Sequence, residues 1–254
     1  MTDYHTAIVG RLIPLLDLTS LNDGVDDDIA GLCERAVTPA GEVAAVCVWP
    51  QFVTECRRRL AGSGIRVATV VNFPHGGADS ELAVAEARAV VADGADEVDL
   101  VMPYEAWLAG ERERANGLVA AVKQAIGTRI TLKVILETGA LGSAENAAAI
   151  SRDAIGAGAD FLKTSTGKRQ PGATLEAAEV LLSVIRELGG NVGFKAAGGV
   201  RSTVEAAEYL DLADQMMGRG WAGPQSFRIG ASSLLDDLLA TLSEAEFHDP
   251  ESEY

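Results

Sequence analysis

Lys163 stands in the run Phe161-Leu162-Lys163-Thr164-Ser165-Thr166-Gly167-Lys168, directly after two apolar residues. An ammonium buried without a partner is costly, so a lysine in such a strand tends to lose its proton. The neutral amine is a nucleophile toward carbonyls. The bland alternative is a lysine at a strand end with a packed stem and a wet head. Asp99 lies between Val98 and Leu100, Lys133 between Leu132 and Val134, and Lys195 follows Phe194. Side chains alternate across a strand, so a charged residue beside apolar ones faces the other side of the sheet. With the apolar neighbours against covering helices, Asp99, Lys133, Lys163 and Lys195 all point inward. A second ammonium nearby disfavours protonation of the first. A carboxylate beside them can move protons through water. This set suits imine formation with an aldehyde.

The elements that must position these residues alternate. Runs rich in β-formers occur at 12–16, 43–48, 66–71, 97–101, 131–137, 161–163, 192–195 and 227–229. Helical patterns separate them. Over 80–93, Leu82, Ala85, Ala89 and Val90 share one face, with Glu81, Glu86 and Arg88 away from it. Over 176–188, Ala177, Val180, Leu181, Val184 and Leu188 recur at helical spacing. Ala92-Asp93-Gly94-Ala95-Asp96 is echoed by Gly156-Ala157-Gly158-Ala159-Asp160, each a helix stop at glycine followed by a strand. Gly94 and Gly158 are 64 positions apart, two units of 32. Eight strand–helix units predict an α/β chain folded as a closed (β/α)8 TIM barrel, with an open doubly wound sheet as the alternative. One domain is expected over 1–242, followed by an acidic, mobile tail over 243–254 that carries Pro250.

The charge of −16 argues against nucleic acid and against anionic membrane surfaces as partners. Apolar residues make up 48% but aromatics only 5%, so aliphatic side chains must fill the core. Cys33, Cys47 and Cys56 form no C-x-x-C, which predicts reduced packing thiols in a cytoplasmic chain. No apolar run reaches the ~18 residues of a membrane span, and the start has no signal-peptide pattern. His5, His75 and His248 lack metal-binding spacing, so no metal and no cofactor are expected.

In such a barrel the chemistry collects where the strands end. Gly198-Gly199 follow the seventh run, and Gly230-Ala231-Ser232-Ser233 open a helix at 234–242 after the eighth. Free backbone amides, hydroxyls and a helix N-terminus favour an anion, and Gly167-Lys168 add a positive charge. Together they predict a phosphate site.

These motifs also carry a resemblance. Phe161 to Gly167, Gly193-Phe194-Lys195, Ala197-Gly198-Gly199-Val200-Arg201 and Asn72-Phe73-Pro74-His75-Gly76 resemble the 2-deoxyribose-5-phosphate aldolases. So do Asp17-Leu18-Thr19, Glu97-Val98-Asp99, Lys133 to Gly139 and Gly230 to Ser233, and the likeness runs from about Leu12 to Leu239. The resemblance implies a class I aldolase on a (β/α)8 barrel, acting on a sugar phosphate and an aldehyde without a metal. It implies that Lys163 forms the Schiff base, that Lys195 lowers its pKa, and that Asp99, beside Lys133, handles protons through water. It puts Asp17, Thr19 and Thr166 near sugar hydroxyls. Gly167, Lys168, Gly198, Gly199, Gly230, Ser232 and Ser233 then line the phosphate site. Ala196 departs from the family, where proline is frequent, and Tyr254 ends the chain as in some members. Two other readings stand beside this one: another barrel aldolase or isomerase of sugar phosphates, and a barrel that binds a sugar phosphate without turnover. A homodimer is expected by base rate alone.

Overall fold

The computed structural model describes residues 2–22 and 28–247. Helix α1 (Thr2–Leu12) passes into a 3-10 turn over Ile13–Leu15, and the first strand, β1 (Leu16–Ser20), begins only there. The run at 12–16 is therefore not the strand. Pro14 has no amide hydrogen to give to a sheet ladder and suits the first turn of a helix instead. Seven more strands follow: β2 (Ala45–Val48), β3 (Arg66–Val71), β4 (Glu97–Val101), β5 (Thr131–Ile135), β6 (Phe161–Lys163), β7 (Gly193–Ala197) and β8 (Phe227–Ala231). Each pairs in parallel with the next, and β8 pairs with β1, which closes the barrel. A small antiparallel pair, Val37–Thr38 with Gly41–Glu42, lies outside it.

Among the described residues, nine helices after α1 cover the sheet: α2 (Ile29–Arg35), α3 (Val53–Arg59), α4 (Ser80–Ala92), α5 (Tyr104–Leu108), α6 (Arg112–Ile126), α7 (Ala144–Gly156), α8 (Leu175–Glu187), α9 (Thr203–Met217) and α10 (Leu234–Phe247). Their starts follow capping chemistry. Asp79, Ser143, Thr174 and Ser202 each accept a bond from the amide three residues on, and Ser202 forms a full capping box with Glu205.

Two helix faces differ from expectation. In α4 the buried residues are Ala83, Ala87 and Val90, while Leu82 is 55% exposed. In α8, Leu181 and Val184 are buried as expected, but Ala178, Leu182 and Ile185 complete the face and Leu188 is exposed. Alanine-rich helices offer several apolar stripes of similar strength. In α4, close approach to the sheet favours the one built from small side chains.

The repeated Ala-Asp turn has a structural counterpart. Gly94 and Gly158 both have left-handed φ, +102° and +104°. Asp96 accepts from Val67 N and Arg57, and Asp160 accepts from Leu132 N and Lys123. Each aspartate thus ties a strand start to the preceding strand and to a basic side chain of the helix that leads into that preceding strand. Helix α10 continues to Phe247, past the expected boundary at 242, because Ala245 still packs into the protein. His248 to Tyr254, including the terminal tyrosine, lie outside the described residues. Among the described residues no helix is long and apolar enough to cross a membrane.

The inner wall is divided. Ala45, Cys47, Ala68 and Val70 on β2 and β3 form a small apolar cluster with Leu21. The remaining strands turn charge inward: Asp17, Glu97, Asp99, Lys133, Lys163, Lys195 and Arg228 are all buried.

Candidate active site

Strand register brings the charges together. Asp99 pairs with Lys133 across β4 and β5, Lys163 with Lys195 across β6 and β7, and Lys195 with Arg228 across β7 and β8. Neighbouring residues in register share a face, so these side chains meet in the barrel. Asp99 is the hub. Its Oδ1 accepts from Lys133 Nζ at 2.8 Å, and its Oδ2 accepts from Lys163 Nζ and Lys195 Nζ, each at 2.8 Å. Lys195 also donates to Asp17, and Lys133 lies 2.6 Å from Glu97. Arg228 donates to Asp17 and, at 2.8 Å, to Glu97, and its guanidinium stands over the Phe161 ring. Lys195 reaches the hub because Gly230 has no side chain: a Cβ there would come within 2.9 Å of Lys195 Cε.

Burial pushes the Lys163 amine down from the ordinary lysine range, and the Lys195 ammonium adds to this against the opposing pull of Asp99. Burial is therefore the larger cause, ahead of the neighbouring lysine. Burial also opposes charge on Lys195, but Asp17 and Asp99 outweigh it and hold its pKa above the ordinary value. Lys133 is raised in the same way against burial by Asp99, Glu97 and Asp17. For Asp99, burial favours the neutral acid, yet Lys133, Lys163 and Lys195 hold the carboxyl well below the usual range. Asp17 is likewise kept ionised against burial by Lys195, Arg228 and Lys133.

Above this network opens a cavity of about 240 Å³. Of the three lysines around Asp99, Lys163 alone is on its wall. Thr19, Thr166, Gly167, Lys168, Gly198, Gly199, Gly230, Ser232 and Ser233 also line it. Asp17, Asp99, Lys133 and Lys195 are one layer below, fully buried. Asp17 thus meets Lys195 and Arg228, and it is its neighbour Thr19 that reaches the cavity.

The upper end of the cavity is built from backbone. Gly167 and Gly198 have φ of +77° and +88°. A Cβ on Gly198 would lie 3.1 Å from Gly167 Cα and 3.3 Å from Gly172 Cα, so the loops after β6 and β7 pack main chain on main chain. Ser232 and Ser233 line the cavity directly before α10, and the first amides of a helix lack intrahelical partners. Arg201 also lines the cavity, and Lys168 extends over Trp49, 6.0 Å from the ring centroid. Such a rim of amides, hydroxyls and cations suits a phosphate dianion. The floor suits a carbonyl carbon attacked by an amine. Ala196, where proline is frequent in the resembled family, continues β7 in register with Ile229.

Residues 11–240 match the model of the DeoC/LacD family aldolases. The chain belongs to that family. Solved structures agree with the assignment. A Coccidioides immitis protein assigned as a deoxyribose-phosphate aldolase has a TM-score of 0.79 at 30% identity, over 92% of this chain and 86% of that one. A Toxoplasma gondii protein with the same assignment has a TM-score of 0.85 at 26% identity, covering 99% and 98%. The deoxyribose phosphate aldolase of Aeropyrum pernix, described as a tetramer, has a TM-score of 0.73 at 25% identity, covering 94% and 92%. This DeoC/LacD aldolase therefore combines a closed barrel, a buried lysine–aspartate network and an amide-lined cavity.

Four members of the site had no role assigned from the sequence. Arg228 sits between Phe227 and Ile229, and the alternation that marks Asp99 as inward marks it too. Glu97 lies two residues before Asp99 on the same strand face. Arg201 becomes part of the rim only through the loop after β7. Glu137 follows β5 with left-handed φ of +52°, a conformation no local signal announces.

Proposed function

We propose that the chain is a class I aldolase that reversibly cleaves 2-deoxy-D-ribose 5-phosphate to acetaldehyde and D-glyceraldehyde 3-phosphate through a Schiff base on Lys163. One observation carries this reading: among the lysines around Asp99, the one at the cavity is the one whose pKa is depressed. Charge balance supports it. Asp17, Glu97 and Asp99 face Lys133, Lys195 and Arg228, three against three, when Lys163 is neutral.

The neutral Nζ attacks C1 of the open-chain sugar, and loss of water leaves an iminium. The C3 hydroxyl gives up its proton while the electrons of the C2–C3 bond move toward the cationic nitrogen. Glyceraldehyde 3-phosphate departs and an enamine remains. Protonation at C2 and addition of water release acetaldehyde and restore the amine. Asp99 accepts from Nζ and stays anionic throughout, so it stabilises the iminium electrostatically. Its depressed pKa makes it a weak base. Its share in proton transfer therefore runs through solvent water that it and the Lys195 ammonium polarise. The glycine-rich rim, with Lys168, Arg201, Ser232 and Ser233, holds the phosphate. Sugar phosphates and buried free thiols at Cys33, Cys47 and Cys56 fit a cytoplasmic enzyme. The tetrameric relative makes self-association a reasonable expectation.

Borohydride reduction in the presence of acetaldehyde tests the reading. The expected result is a reduced two-carbon adduct on Lys163, found by mass spectrometry, and its loss in Lys163→Leu. Turnover of deoxyribose 5-phosphate with no adduct on any lysine would sink the Schiff-base mechanism. An adduct on Lys195 would reverse the two lysine roles.

A further inference from the structure

Glu137 combines two unfavourable features. It holds a left-handed backbone, φ +52° and ψ +57°, which is uncommon for a residue with a long side chain. Its carboxylate is also buried, at 1% exposure, with Oε1 lacking a hydrogen-bond partner among the described residues. No ion pair to Glu137 is found among the described residues. An apolar residue here would avoid the second feature at least. What the carboxylate does is accept from Thr166: the hydroxyl donates to Oε2 at 2.6 Å, and the amide approaches the same oxygen at 3.4 Å. Thr166 Oγ1 in turn accepts from Lys168 N at 3.1 Å. Thr166, Gly167 and Lys168 line the cavity, whereas Glu137 does not.

We propose that Glu137 is a positioning residue for the phosphate end of the substrate. It acts through Thr166, fixing the loop Thr166-Gly167-Lys168 so that its amides and the Lys168 side chain face the anion. The inference rests on the aldolase reading for its substrate, but the loop geometry stands apart from Lys163 chemistry.

Replacing Glu137 by Met keeps its bulk and removes the acceptor. Loss of a charge-assisted hydrogen bond of this kind corresponds to an effect of roughly tenfold to a hundredfold. The expected result is a rise of that size in KM for deoxyribose 5-phosphate with a much smaller change in kcat. kcat/KM for unphosphorylated 2-deoxyribose should change little. Inhibition by inorganic phosphate should weaken in parallel. Glu137→Gln retains an oxygen acceptor and should recover most of the affinity. Thr166→Val removes the same bond from the other end, and Glu137→Met should add nothing to it. Should Glu137→Met fail to fold, Thr166→Val with inorganic phosphate as the probe carries the test. Equal losses on phosphorylated and unphosphorylated sugar, or unchanged phosphate inhibition in Thr166→Val, would overturn the positioning role. A wild-type protein that leaves deoxyribose 5-phosphate intact would instead sink the aldolase reading. The inorganic phosphate measurements would then decide the role of Glu137 alone.

Discussion

At the residue scale, the decisive contrast is between two lysines in register. Lys163 and Lys195 lie side by side and both donate to Asp99 Oδ2. Lys195 has a second carboxylate, Asp17, and stays charged, whereas Lys163 has Asp99 alone and loses ground to burial. The second carboxylate, then, sorts the ammonium from the nucleophile. Lys195→Met removes a cation beside Lys163 and leaves Asp17 and Asp99 less neutralised. Both changes favour a proton on Lys163 and raise its pKa. The reactive amine then appears only at higher pH, so the acidic limb of kcat/KM should move upward. Lys195→Arg keeps the charge and should move it less. A pH profile from 5 to 10 checks the direction, and an unchanged limb in Lys195→Met would remove Lys195 from the explanation.

At the scale of elements, the site depends on how closely two strand-end loops approach. The loops after β6 and β7 touch through Gly167, Gly172 and Gly198, and Ala173 N donates to Gly198 O at 2.8 Å. Thr164 and Ser165 stitch the same loops lower down by donating to Ala197 O, which explains why these hydroxyls are buried rather than offered to substrate. Gly198→Ala meets both a positive φ and two backbone atoms that cannot swing away. It should cost about 1–3 kcal/mol of stability and loosen the anion rim. Urea denaturation together with KM for the phosphorylated substrate measures both effects. An unshifted urea midpoint with an unchanged KM would mean that the loops have more slack than their packing implies.

At the scale of the molecule, the buried network links distant parts of the chain. Arg228 on β8 joins Asp17 on the adjacent β1 to Glu97 on β4, four strands away across the barrel. This clamp depends on ionised carboxylates. The folded pKa values of Asp17 and Asp99 are depressed below their unfolded values. Their stabilising contribution is present above the unfolded carboxylate pKa, about 3.9, and is lost as pH falls toward the folded values. Stability should hold from pH 8 to about 5 and drop steeply below about 4, as urea midpoints at successive pH values would show. A flat profile down to pH 3 would contradict the ionised network.

Much of this is legible in the amino-acid sequence. The alternation of β and helical runs implies eight units, and the 64-residue echo of the glycine stop implies their length. The strand period puts Asp99, Lys133, Lys163 and Lys195 on one face, because alternation is a local property of an extended chain. Local pattern could not place β1, since an apolar run beside a proline serves a turn as well as a strand. It could not choose the buried stripe of α4 either, because alanine faces differ little until a sheet is packed against one of them. Only the closed barrel decided which lysine keeps its proton, for that depends on Asp17 arriving beside Lys195 from the other end of the chain. Only the loop contacts turned Glu137 from a residue after a strand into a buried acceptor for Thr166. The sequence determined which groups face inward; their distances, and hence their charges, belong to the tertiary structure.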